Sequence, residues 1–368
     1  MSSTTAEPAE ISPDIVNPEQ AAEAAGLVYV SEEHPGIRRR KSGNGFSYRS
    51  PEGTVVKDKD VLSRIRSLAI PPAWTEVWIC ADPNGHIQAT GRDAKGRKQY
   101  RYHPKFREVR DSAKFEHVVE FARSLPQIRK VVAEHMKLRG LPREKVLAAT
   151  VHLLESTLIR VGNDDYAKHN KSYGLTTLRD RHVALNGSEL RFQFKGKSGK
   201  MWRLNLRDRR LAKIVKACQD LPGQELLQYV DENGDVRDVT SSDVNAYLRE
   251  ITGKDITAKD FRTWAGTVLA ALALDEFEGF DTAAKAKKNV RAAIERVSSR
   301  LGNTPTICRK CYVHPAVLDS YLSGSLVLQV REEIESELRD DLPGLQPEEA
   351  AVMVLLQQRL ADRSSEAA

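Results

Sequence analysis

Apolar positions along the chain change their period near residue 110. Before it they come in short runs broken by turn residues. Residues 28–30, 45–48, 77–80 and 87–90 are predicted as strands, with Asp82-Pro83-Asn84-Gly85 as the hairpin turn between the last two. Residues 60–68 are predicted as a helix, stopped by Pro71-Pro72. After residue 110 apolar residues recur at a 3.6-residue period, which predicts helices over 115–124, 126–138 and 143–160. One interlude of alternating pattern follows. Residues 182–185, 190–194 and 201–204 are predicted as a three-stranded meander, turning at Asn186-Gly187 and at Gly196-Lys197-Ser198-Gly199. Helical periodicity resumes over 209–219, 242–251, 258–274, 281–301 and 316–330.

The expected fold class is therefore α+β. A small strand-rich N-terminal domain (26–108) precedes a larger, mainly helical domain (109–335) that carries a three-stranded β insert. Residues 1–25, rich in Ser, Thr, Ala, Glu and Pro, are expected to be a disordered acidic tail with a short helix at 18–25. Residues 336–368 are expected to be an acidic C-terminal extension with one more helix and a frayed end.

Composition adds limits. The chain has 368 residues, 40% of them hydrophobic, enough for a sizeable core. Its 57 Lys and Arg against 51 Asp and Glu give a formal charge of +6, so the distribution of charge is more telling than its sum. No apolar run approaches the roughly 18 to 20 residues that span a bilayer, and the N-terminus lacks the basic-then-apolar pattern of a secretory signal. Four cysteines in such a chain are no disulfide framework, which points to a reducing cytoplasm. Cys308-x-x-Cys311 lacks the second pair that a structural zinc site needs, so no metal is expected there.

Positive charge concentrates between Arg92 and Arg110, with eight Lys or Arg, two acids, and Tyr100, Tyr102 and Phe106 interleaved. Such a stretch is either a solvated basic loop or a surface that contacts phosphates through its cations and sugars or bases through its tyrosines. If 99–103 is a strand, Tyr100 and Tyr102 share one face. A second cluster, Arg38-Arg39-Arg40-Lys41, precedes Gly43 and Gly45.

Tyr312 stands beside Arg309 and Lys310, just before an apolar run. A phenol attacks poorly at neutral pH unless cations stabilise the charge that develops. Four residues could supply what it needs. Arg160 ends a helix that Gly162 is expected to stop, where a plain dipole-balancing role competes. Lys197 stands at a hairpin tip, where most lysines are merely solvated. Arg262 opens an Ala-rich helix and could bind phosphate or pair with Asp260. Asn303 could bond a phosphate oxygen or form a turn after Gly302.

The order and spacing of these residues carry more than each alone. Arg160 to Lys197 is 37 residues, Lys197 to Arg262 is 65, and Asn303 to Tyr312 is nine. With Gly-Arg-Asp-Ala-Lys-Gly-Arg-Lys-Gln-Tyr-Arg-Tyr-His (91–103), Arg-Val-Gly-Asn (160–163), Gly-Lys-Ser-Gly-Lys (196–200), Lys-Asp-Phe-Arg-Thr (259–263) and Leu-Gly-Asn-Thr-Pro…Tyr (301–312), the chain resembles the type IB DNA topoisomerases, in particular the small poxvirus-like bacterial ones. The resemblance spans roughly residues 28–328.

It implies the tyrosine recombinase and topoisomerase IB catalytic fold. It implies Tyr312 as nucleophile forming a 3′-phosphotyrosyl bond, Arg160 and Arg262 as the clamp on the non-bridging oxygens, and Lys197 as general acid for the 5′-oxygen. Asn303 stands where poxvirus enzymes carry histidine, keeping a hydrogen bond but no charge. Arg97, Lys98, Tyr100, Tyr102, Tyr166 and Lys259 match DNA-contacting positions. No cofactor is implied, neither ATP nor metal, because one phosphodiester is exchanged for another. The partner is double-stranded DNA, held by a monomeric clamp in the bacterial cytoplasm at the nucleoid. A site-specific tyrosine recombinase and a non-catalytic DNA clamp are the alternatives. If about eight phosphates are contacted, log K for duplex DNA should fall with log salt at a slope near ~−7. Titrations at several salt concentrations check this, and a slope flatter than about −3 contradicts it.

Overall fold

The computed structural model describes residues 17–94, 96–277, 279–326 and 344–366, leaving aside the side chains of 111–116, 165, 166, 198, 360 and 362–366. The chain divides into two units, Met1–His117 and Val118–Ala368.

In the first unit, helix α1 (Pro18–Ala24) begins where the Asn17 side chain accepts the Glu19 N–H at 2.9 Å and proline occupies the first position. Strands β1 (Gly36–Ser42) and β2 (Gly45–Arg49), helix α2 (Lys59–Ser67) and strands β3 (Thr75–Cys80), β4 (Ile87–Arg92) and β5 (Lys98–Tyr102) follow. They form one antiparallel sheet in the order β2-β1-β3-β4-β5. Ile65 of α2 covers one face, packed on Ile37, Val77, Ile79 and Ala89. Val30, Trp78 and Cys80 pack together in a second cluster.

Two expectations fail here for physical reasons. Residues 28–30 form a single bridge, Val28 to Gly85, instead of a strand. The His86 ring replaces a strand partner, accepting the Val30 N–H at 3.0 Å and stacking on Tyr29. Strand β1 is absent from the expected elements because its four consecutive basic residues hide the alternation. Arg39 is nonetheless half-buried, donating to the Pro71 and Trp74 carbonyls at 3.1 and 2.6 Å. The short helix expected at 18–25 is present as α1 and is packed, with Ala21 and Ala22 buried beside Leu27 and Phe106. Residues 1–16 lie outside the described residues.

Helix α3 (Pro104–His135) contains both the observed division and the expected border at 108. It joins what were expected as two helices. Pro126 removes one main-chain bond without ending it. The second unit continues with α4 (Arg143–Thr157), α5 (Asp164–Asn170) and the antiparallel sheet β6 (Val183–Asn186), β7 (Glu189–Lys195) and β8 (Met201–Arg207). Leu190, Phe192 and Phe194 of β7 point inward in strict alternation. A 3-10 turn, Lys197–Gly199, joins β7 to β8. Helix α6 (Arg209–Gln219), the ribbon β9 (Gln228–Val230) and β10 (Val236–Asp238), and helices α7 (Ser241–Thr252), α8 (Ala258–Asp275), α9 (Ala283–Leu301), α10 (Pro305–Cys311), α11 (Pro315–Leu322) and α12 (Pro347–Glu366) complete it.

The unit is built around α8, which packs against α4, α7, α9, α11 and α12. Its Ala-rich sequence permits that closeness, since small side chains let neighbouring helices approach on every side. The C-terminal segment expected as an acidic extension is, from 347 on, one of those neighbours. Val352 and Leu356 of α12 are buried. Glu349 accepts from Arg129 at 2.8 Å and from the Trp264 indole at 3.2 Å. A carboxylate tied to a half-buried arginine and a buried indole fixes this helix to the core. Residues 336–343 of that segment lie outside the described residues. No helix among the described residues is long and apolar enough to cross a membrane.

Candidate active site and DNA-facing residues

Helix α4 stops at Thr157 because Leu158 adopts φ 56° and ψ 20°, a left-handed conformation rare for a branched residue. Gly162 is not the helix stop that the sequence suggests. Arg160 therefore stands beyond the helix, in an extended segment. Its carbonyl accepts the Leu175 N–H at 2.9 Å, and that of Val161 accepts the Thr176 N–H at 2.7 Å. Gly162, at φ +116°, and Gly174 make that pairing possible, since a Cβ on Gly174 would lie 2.6 Å from the Arg160 carbonyl.

Arg262 lies in the second turn of α8 and is 3% exposed. Its two terminal nitrogens donate to main-chain carbonyls at the ends of two other helices. One bonds Leu158 after α4, and the other bonds Leu301 at the end of α9, at 2.7 Å. Its Nε has no hydrogen-bond partner among the described residues. Helix α9 ends with Gly302 at φ +63°, which turns the chain so that Asn303 follows directly. The Asn303 Oδ1 accepts from Arg160, and its Nδ2 is buried and without a partner among the described residues.

Thr304 then caps α10, with Pro305 at its first position, and the helix ends at Tyr312. The Tyr312 ring lies under Arg262, whose guanidinium carbon is 5.1 Å from the ring centre. Helix α8 passes so close that a Cβ on Gly266 would be 2.5 Å from the Tyr312 carbonyl oxygen. The next residue, Thr267, donates to that carbonyl at 3.4 Å and accepts the His314 N–H at 3.1 Å.

Arg160, Arg262, Asn303 and Tyr312 are thus brought together from three separate stretches. Burial lowers the pKa of Arg160, and the neighbouring phenol opposes that. Burial and then the charge of Arg160 push Arg262 down to about 10, again opposed by Tyr312. Both guanidiniums keep their protons at neutral pH. No carboxylate pairs with either among the described residues. Two confined cations without a counter-charge form a site built for an anion.

Lys197 is not brought in. It is exposed on the β7–β8 turn and makes no hydrogen bond or ion pair with the other four. Its hairpin is nonetheless joined to the site through Trp202. A Cβ on Gly196 would lie 2.7 Å from that ring, and one on Gly302 would lie 2.5 Å from it. The same tryptophan therefore backs both the hairpin and the residue before Asn303. Lys259 is exposed in the first turn of α8, and Tyr166 belongs to α5.

In the first unit, Tyr100 and Tyr102 do share a face of β5, with near-parallel rings 5.8 Å apart. Lys98 lies 5.6 Å over the Tyr100 ring and pairs with Glu32 at 2.7 Å. Arg97 pairs with Asp93 at 2.7 Å. Glu32 also accepts from Thr90 at 3.0 Å. Both cations expected to meet phosphate thus already hold carboxylates. Glu32, Gly266 and Thr267 escaped sequence reasoning, and only close packing reveals them.

Comparison with known proteins bears on the same residues. Residues 103–338 match the family model described as eukaryotic DNA topoisomerase I, catalytic core, and residues 45–93 match that of the bacterial DNA topoisomerase IB N-terminal domain. DNA topoisomerase 1B of Acanthamoeba polyphaga mimivirus is 34% identical over 296 residues, 78% of this chain and 87% of that protein. DNA topoisomerase 1B of vaccinia virus (strain Copenhagen) is 21% identical over 286 residues, 76% of this chain and 88% of its own. These matches define an enzyme that changes DNA topology. The chain belongs to the type IB DNA topoisomerase family.

With Tyr312 as the nucleophile that the sequence resemblance implies, Gly266→Ala is expected to leave the fold intact by circular dichroism while slowing plasmid relaxation by about 100-fold, since displacing a reacting group by about 1 Å costs that much. An unchanged rate would contradict the tight fit of Tyr312 against α8.

Proposed function

We propose that the protein relaxes positive and negative supercoils by nicking one strand of duplex DNA through Tyr312 and resealing it. The observation that carries this reading is the pair of partnerless donors, Asn303 Nδ2 and Arg262 Nε, in a doubly cationic site beside the phenol. Those groups match the needs of a phosphodiester passing through a five-coordinate state, whose non-bridging oxygens gain negative charge.

The Tyr312 oxygen attacks phosphorus and gives its proton to water. The bond to the 5′-oxygen breaks, leaving a 3′-phosphotyrosyl link and a 5′-hydroxyl. Arg160, Arg262 and Asn303 bind the non-bridging oxygens. Lys197 delivers a proton to the departing 5′-oxygen once the β7–β8 hairpin closes on the bound duplex. While the strand is open, the duplex rotates. The reverse attack then restores the phosphodiester. One such bond is stored as another throughout, so the cycle requires no ATP. The two guanidiniums provide the charge neutralisation that a metal supplies in other phosphoryl-transfer sites, and the amide adds an uncharged hydrogen bond.

Asn303 bonds phosphate without carrying charge, which costs on the order of 1 to 2 kcal/mol against a charged donor, or about ten-fold in rate. Tyr100, Tyr102, Arg97, Lys98, Tyr166 and Lys259 contact the duplex. Arg97 and Lys98 exchange their carboxylates for phosphates in doing so. The protein acts as a monomeric clamp on DNA in the cytoplasm, at the bacterial nucleoid. Its two domains meet near residue 108.

Supercoiled plasmid incubated in EDTA without ATP is expected to be relaxed, with a covalent protein–DNA adduct trapped by detergent. Tyr312→Phe should abolish both. Arg262→Lys should lose at least about 100-fold, since an ammonium cannot reproduce the planar fork that bonds two carbonyls. Adduct formation by Tyr312→Phe, or full activity in Arg262→Lys, would overturn the assignment.

A further inference from the structure

Cys308 and Cys311 flank the site and take no part in the chemistry above. They lie three residues apart in α10, of which Cys311 is the last residue. That spacing places two Cα atoms about 5 Å apart on neighbouring helix positions, inside the roughly 4.4 to 6.8 Å that a disulfide spans. Both thiols are reduced, Cys308 buried and Cys311 half-buried. Cys308 is also bound into the site. Its carbonyl accepts the Tyr312 N–H at 2.9 Å. Burial pushes its thiol up to about 11, and the charge of Arg262 beside it pulls the other way. Cys311 is therefore the point of entry for an oxidant, since it is the more accessible of the two.

We propose that Cys308 and Cys311 form a reversible redox pair whose disulfide displaces Tyr312 and stops strand cleavage. The consequence for activity rests on the function proposed above, whereas the thiol chemistry does not. The Cys311 thiolate attacks a peroxide. Its sulfur is oxidised to a sulfenic acid as the O–O bond breaks and hydroxide leaves. The Cys308 sulfur, losing its proton, then attacks the sulfenic sulfur. An S–S bond forms and water departs. Two thiols and one peroxide give one disulfide and two waters, and a dithiol reductant reverses the change by exchange.

Helix neighbours three apart hold their Cβ atoms about 5 to 6 Å apart, whereas a disulfide brings them to about 3.8 Å, so a bridge across the last turn of α10 draws the Cys308 main chain toward Cys311. The hydrogen bond that seats the Tyr312 N–H moves with it. Gly266 leaves Tyr312 no room to adjust, because α8 already touches its carbonyl. A shift of about 1 Å in a reacting group is enough for a 100-fold loss.

The test uses the full chain, treated with hydrogen peroxide and then with dithiothreitol. Peptide mass mapping should show the segment holding both cysteines lose two hydrogen atoms. Plasmid relaxation should fall by about 100-fold in parallel and recover on reduction. Cys311→Ser should keep the activity of the reduced protein and ignore peroxide. Cys308→Ser should likewise form no bridge. The proposal is overturned if peroxide leaves the pair reduced, if the bridge forms without loss of activity, or if Cys311→Ser is inhibited equally. A reduced protein that relaxes no plasmid would instead refute the proposed function, and the mass readout would still report on the thiols.

Discussion

Arg262 brings a full positive charge into the helical core, and the ends of two other helices receive it. The last carbonyls of a helix have no partner within it and carry its partial negative charge. Leu158 and Leu301 present such carbonyls at the ends of α4 and α9, and Arg262 bonds both. One guanidinium thus fixes the meeting point of three helices. Each of the two helix ends then turns through a left-handed residue, Leu158 and Gly302. The chain that emerges places Arg160 two residues after the first turn and Asn303 one residue after the second, where they bond each other. The anchor of the buried cation and the placement of Arg160 and Asn303 beside it have the same cause.

The remaining parts follow from that centre. Helix α10 starts immediately after Asn303 and ends at Tyr312, so the phenol is delivered within one short helix of the α9 end. Gly266 and Thr267 then hold its carbonyl against α8, four and five residues beyond Arg262. Helix α12 braces the same α8 through Glu349 and Trp264. The β7–β8 hairpin is joined to this frame through Trp202 alone among the contacts above, which leaves its tip exposed. A buried cationic centre and a lysine on an exposed turn differ in how far their geometry is fixed before anything binds.

Much of the architecture is legible in the sequence because its signals are local. Periodicity marks α6, α8 and the β6–β8 meander, and glycine turns mark the hairpins. The spacing of Arg160, Arg262, Asn303 and Tyr312 marks the residues that converge. What is hidden depends on partners far away in sequence. Four adjacent cations conceal β1, whose Arg39 is held by carbonyls some thirty residues on. Pro126 looks like a helix break, yet the surrounding packing carries α3 past it. The acidic C-terminal composition conceals that the helix expected there buries one face against α8. Gly162 reads as a helix stop, but its task is to admit the Leu175–Thr177 turn, while an unremarkable leucine stops α4. No pattern marks main-chain carbonyls as ligands of a side chain.

The role proposed for the charge of Arg262 can be measured by removing the phosphate charge it would neutralise. A duplex carrying an uncharged methylphosphonate at the cleaved position has one non-bridging oxygen fewer to neutralise. Single-turnover covalent cleavage is compared for wild type and Arg262→Ala on that duplex and on the natural one. The expected result is a deficit for Arg262→Ala of about 100-fold or more on the phosphate, shrinking by at least about ten-fold on the methylphosphonate. An equal deficit on both substrates would show that Arg262 acts by holding the fold alone, and would contradict a role in neutralising the phosphate.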